Sequence, residues 1–191
     1  MSISRLLILI LPVIALVSCK PKSAESTEAK AQESSYFSIK AFAADQWRNY
    51  HDQPYGIIKI VSLNGKTDTL YTNANKVNWG DILKLFLETD ISNKKFLDQY
   101  TFTSFTDEVS MSEHFSYEAK DKKLFTQKLD ITSNISNHRI TSVYVETAKN
   151  SQWGMHTQKL LYVPVKSILI QEFQSAMIGE NKELKVEYLF M

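Results

Sequence analysis

From Tyr100 to Phe190 the chain is a succession of short segments in which apolar or aromatic residues alternate with polar ones. Residues 100–106, 114–118, 124–132, 139–147, 152–163, 165–174 and 184–190 carry the period of two that belongs to half-buried strands. Between them lie polar turns, among them Lys120-Asp121-Lys122, residues 134–137, Lys149-Asn150-Ser151 and residues 179–182. Such turns are too short to carry a crossover, so they join antiparallel neighbours, and this part of the chain is committed to one antiparallel meander.

The preceding residues read differently. Ile39, Phe42, Ala43, Gln46, Trp47 and Tyr50 recur at three- and four-residue spacing, which predicts a helix over 38–50 with its apolar stripe inward. Residues 55–71 return to a period of two on either side of Asn64-Gly65. A type I′ turn needs positive φ at both central positions, which this pair tolerates, so a hairpin is expected. Asn78 is placed to cap a second helix, with Asp81 in its first turn and Trp79, Ile82, Leu83, Phe86 and Leu87 on one face, ending near Thr89. A short helical turn is expected within 92–98. The resulting fold class is α+β: two N-terminal helices packed on a large, curved antiparallel sheet of about seven to nine strands. A sheet of that size curls, and the expected form is a half-open barrel whose concave face the helices fill.

All aromatic residues lie at or beyond Tyr36, which marks where a folded domain begins. Residues 36–191 show no internal repeat and are expected to form a single domain. Residues 20–35, KPKSAESTEAKAQESS, hold no aromatic or branched aliphatic side chain, so nothing there offsets the entropy of ordering. A flexible tether with a reach of about 20–25 Å is expected. Residues 1–18 carry one charge, Arg5, ahead of the apolar run 6–17, the composition of a secretory signal. That run is too short to span a bilayer core, which needs about 20 helical residues. It closes on Leu16-Val17-Ser18-Cys19, which resembles the lipobox of bacterial lipoproteins, where small residues precede a cysteine that is acylated before cleavage on its amino side. The resemblance implies that Cys19, the sole cysteine, is a lipid anchor, with residues 19–35 as acylated cysteine and tether. It also implies a cell-envelope location. Lys20 after the cysteine favours the outer membrane, and the lack of a dense acidic cluster at Lys20-Pro21-Lys22-Ser23 favours its periplasmic side. The abundance of Lys, Asn, Ile and Tyr resembles envelope lipoproteins of Bacteroidota. With its one cysteine used for lipid, the domain has no disulfide and no thiolate metal site.

The formal charge is +1 with acids and bases interspersed, which gives no basic field for nucleic acid, and none is expected as a partner. No nucleophile-elbow, phosphate-loop, dinucleotide-binding or zinc-protease signature occurs, so no catalytic residue and no cofactor is expected. His51, His114, His138 and His156 have no partner at helical spacing, and no metal site is expected. Asp107, Glu108, Glu118 and Glu146 can converge as an acid–base pair. The simpler reading makes them solvated or cross-strand partners of Lys128 or Arg139. Ser167 and Thr141 lie within strands without a visible base, and Asn134-Ile135-Ser136 is read as turn chemistry rather than a glycosylation site.

Aromatic residues are the remaining signal. Trp47, Tyr50, Trp79, Phe86, Tyr144 and Trp153 are the candidate lining of an apolar pocket between helices and sheet, or else they fill a core. Three functions follow in order of expectation. The first is a membrane-anchored envelope lipoprotein acting as a noncatalytic binding or structural module, its partner an envelope protein or other envelope component. Next comes a carrier of a lipid or other apolar ligand, and last an envelope hydrolase. A filled interior favours the first, an apolar cavity of at least roughly 300 Å³ the second, and convergent His, Asp, Glu and Ser the third.

Overall fold

The computed structural model describes residues 36–152, 154–176 and 179–191; Cys19, the tether and Trp153 lie outside the described residues. Among the described residues are two α-helices, α1 (Ile39–Tyr50) and α2 (Trp79–Leu87). There are nine strands: β1 (Gly56–Leu63), β2 (Lys66–Asn73), β3 (Tyr100–Asp107), β4 (Ser112–Ala119), β5 (Thr126–Asn134), β6 (Ile140–Ser151), β7 (Gly154–Val163), β8 (Ser167–Ala176) and β9 (Lys182–Phe190). Both helices begin where the caps say. The Ser38 hydroxyl accepts from the Ala41 amide at 3.1 Å, and the Asn78 side-chain oxygen accepts from the Asp81 amide at 3.3 Å. Asn78→Ala leaves that amide without its partner and is expected to cost about 1 kcal/mol, read as a lower urea midpoint at unchanged slope. Asn64 and Gly65 stand at φ 48° and 82°, the positive values that the two-residue turn between β1 and β2 requires.

All nine strands form one antiparallel sheet in the order β2-β1-β9-β8-β7-β6-β5-β4-β3. From β3 to β9 it is a plain meander. The β1–β2 hairpin then docks on the far side of β9, with Ile57 opposite Phe190 and Leu63 opposite Leu184. The sheet is not closed: β2 and β3 are its two edges. The ladder runs further along β6 and β7 than the polar residues suggested. Lys149, Asn150 and Ser151, expected as a turn, pair with His156, Met155 and Gly154. A hairpin end in water needs no apolar side chains to keep its backbone paired.

Register explains the core. Ile131, Val143, Tyr162, Ile168 and Tyr188 face one another across β5 to β9, and Leu129, Val145, Leu160 and Ile170 form the next row; all are buried. Both helices lie on this face. Phe42 of α1 and Phe86 of α2 meet the Tyr162 ring edge-on at 5.4 and 5.7 Å, and Trp79 lies 5.8 Å from Phe190. Polar contacts fix their seating: the Trp79 indole N–H donates to the Ala74 carbonyl at 2.8 Å, the Thr126 hydroxyl to the Thr89 carbonyl at 3.0 Å, and the Ile39 amide to Asp90 at 3.0 Å. Among the described residues the opposite sheet face has no helix contact of this kind, and its residues alternate with the core rows as those of a half-solvated antiparallel sheet do.

Candidate functional site

On that open face the register of β3 to β6 sets side chains in cross-strand rows. One row reads Thr103, Ser116, Asp130 and Tyr144; the adjacent row reads Phe105, His114, Thr132 and Ser142. Together with Lys128 they line a depression of about 470 Å³. Its floor is polar and internally bonded. Ser116 donates to Asp130 at 2.6 Å, and the Lys128 ammonium sits 3.2 Å from the other Asp130 oxygen and 4.0 Å from Glu118. The bond to Asp130 holds the Lys128 pKa above its ordinary value. Tyr144 donates to Glu146, and partial burial, then that bond, pushes its phenol pKa up, so it remains a neutral donor. Phe105 forms the rim: its ring is 63% exposed and stacks on the His114 imidazole with centroids 4.5 Å apart.

His114 belongs to a chain of hydrogen bonds that runs from Thr132 to Asp107. Thr132 Oγ1 lies 3.2 Å from His114 Nδ1, His114 Nε2 lies 2.8 Å from Ser112 Oγ, and the Ser112 and Ser110 hydroxyls are 2.6 Å apart. Ser110 Oγ is 2.7 Å from Asp107 Oδ2. With the imidazole neutral, one direction satisfies all four. The Asp107 carboxylate can only accept, so Ser110 donates to it; Ser112 must then donate to Ser110, His114 through Nε2–H to Ser112, and Thr132 to Nδ1. Ser110's hydroxyl, followed by the Ser110 and Val109 amides, holds the Asp107 carboxyl below the usual carboxylate range. The consequence is chemical. Ser112 accepts a hydrogen bond from the imidazole instead of donating one to it, so the arrangement positions His114 and Phe105 and does not build an activated nucleophile.

Of the six residues expected to line one pocket, the five that are described do not share one. Trp79 and Phe86 are buried in the core beneath the helices, and Trp47 is 42% exposed with its ring stacked on His51. Tyr50 sits at the side of α1, Tyr144 belongs to the opposite sheet face, and Trp153 is outside the described residues. Lys128 does stand between Glu118 and Glu146 in the register, the cross-strand arrangement expected of those carboxylates. Phe105, His114 and Asp130 were not legible as a group, because which residues share a row depends on strand pairing. Their one sequence signal is that each falls on the polar phase of its own strand. Among the described residues no group of three or more His, Cys, Asp or Glu gathers as a metal site. No protein-family model, no curated protein and no solved structure matches this chain.

Proposed function

We propose that the chain is a lipid-anchored cell-envelope lipoprotein, acylated at Cys19 and held at the outer membrane on its periplasmic side, that acts as a noncatalytic binding module. Its partner is an envelope component held on the open sheet face beside β3. In this reading the sheet curls into a half-open barrel around the two helices, leaving its other face free.

One observation carries the proposal: the exposed Phe105 ring stands at an unpaired strand edge, next to a polar floor whose donors and acceptors are already oriented. Residues 101–106 of β3 hold neither Lys, Pro nor an inward charge, the devices that usually blunt an edge. The ring-on-ring packing of Phe42, Phe86 and Tyr162 supports a binding module over an apolar carrier. The direction of the His114 relay supports it over a hydrolase.

A photo-cross-linking residue at Phe105 of the full-length chain, in envelopes of cells that make it, is expected to capture one discrete envelope component. The same probe at Thr69, on the outer phase of the opposite edge strand, is expected to capture none, and Asp130→Ala to weaken capture at Phe105. Equal capture from both edges, or none at Phe105, sinks the binding face. The anchor is read separately: Cys19→Ser should move the chain from membrane to soluble fractions.

A further inference from the structure

A second depression lies on the other side of the molecule, where α1 passes the turns that join β5 to β6 and β7 to β8. It measures about 510 Å³. Asp45, Gln46, Asn49 and Tyr50 line it from the helix at three- and four-residue spacing, and His138 and Arg139 from the turn. Gln46 is the anomaly. The residue is only 6% exposed, and its side-chain oxygen is buried without any hydrogen-bond partner, the one such atom among the described residues. Its amide nitrogen makes a single long bond, 3.3 Å to Asp45. Buried polar atoms are rarely left so, and exchanging the two ends of the amide leaves an unpaired donor in place of the unpaired acceptor.

Facing it is a braced turn. Asn134 Oδ1 accepts the Ser136 and Asn137 amides at 3.0 and 3.3 Å, the His138 amide donates to the Asn134 carbonyl at 2.8 Å, and the Arg139 amide donates to Asn137 Oδ1 at 3.0 Å. His138 takes the left-handed conformation at φ 53°. Arg139 makes no ion pair with any described acid. A cation at one lip therefore stands across from the Asp45 carboxylate at the other, which Arg48 of the same helix approaches at 3.7 Å, while the unpartnered Gln46 oxygen is buried in the wall.

We infer that this depression binds a small ligand with a carboxylate at one end and N–H or O–H donors at the other. Arg139, with His138, receives the carboxylate as a charge-assisted acceptor. The donor end meets Asp45 and, once the Gln46 amide turns on its last side-chain bond, the Gln46 oxygen, at the cost of the long bond from its nitrogen to Asp45. This site is separate from the open sheet face and does not depend on its role.

The test is a titration of the full chain with glycylglycine, followed by nitrogen–proton NMR on the Gln46 side-chain amide. Glycylglycine is expected to shift it saturably with a Kd below about 10 mM, and N-acetylglycine and glycinamide, each lacking one charged end, to bind about tenfold more weakly. Arg139→Gln, a surface change, should reduce glycylglycine to the level of glycinamide. Gln46→Met keeps the volume and removes the orphaned oxygen, so it should raise Tm while weakening binding, a combination a purely structural glutamine does not give. No saturable shift, equal response to all three probes, or undiminished glycylglycine binding by either variant overturns the proposal.

Discussion

Tyr162→Ala is expected to lower the unfolding free energy by about 3–5 kcal/mol. The ring is 1% exposed, sits between Val143 and Ile168 in its ladder row, and receives Phe42 and Phe86 edge-on from the two helices. Truncation therefore opens a void under both helices at once, and neither can close it without giving up its own polar seating at Asp90 or Thr89. Against a total of about 5–15 kcal/mol for a domain, that is a large fraction. Urea unfolding followed by circular dichroism measures it. Tyr162→Phe should stay within about 1 kcal/mol of the native chain, because burial keeps this phenol neutral and its ring supplies the packing. A loss below about 1 kcal/mol for the alanine variant would show that the helices are anchored elsewhere.

Gly154→Ala is expected to destabilise by at least about 3 kcal/mol, an effect of backbone rather than packing. Gly154 stands at φ 144°, and a Cβ there falls 1.9 Å from the Ser175 carbonyl oxygen and 3.0 Å from its carbon. Neither atom belongs to a flexible side chain. Both lie in the β7–β8 ladder, where Gly154 pairs with Ala176 and Met155 with Ser175, so relief requires the strands to part. Gly65→Ala is the control, since Gly65 also has positive φ, 82°, but no atom lies within 4 Å of its added methyl. Only the left-handed penalty of about 1–2 kcal/mol remains there. In thermal melts the two variants should separate by several degrees, with Gly154→Ala the lower; coincident melts would mean that the ladder yields freely at Gly154.

What the sequence makes legible here is local. Asn78 and Asp81 announce a helix start, Asn64-Gly65 a hairpin, and the alternation after Tyr100 a meander, because each depends on neighbours a few residues away. The docking of β1 on β9 has no such signal. Ile57 and Val61 state that one face of their strand is buried, and nothing in them says that Phe190 and Val186 are the partners. The same limit applies to the aromatics: Tyr144 and Tyr162 both sit in alternating strands, and only register places one with Asp130 on the open face and the other under the helices. Gln46 falls within the inward stripe of α1, where a glutamine reads as a tolerated exception. That its oxygen goes unpartnered follows from the turn opposite, far along the chain.

The pairing of β1 with β9 also sets an order of events. A hairpin alone is marginally stable in water, and β1–β2 is the first pair of the nine strands to be made, while the strand it needs is the last of them. Until β9 arrives, the inward residues of β1 and the β8 edge both stand uncovered, and the closing step is a pairing across nearly the whole domain, the kind of contact that slows folding most. A chain stopped short of residue 182 can build its meander only as far as β8 and has nowhere to put its first hairpin, so this nine-residue strand acts as the latch that decides whether the rest becomes one domain.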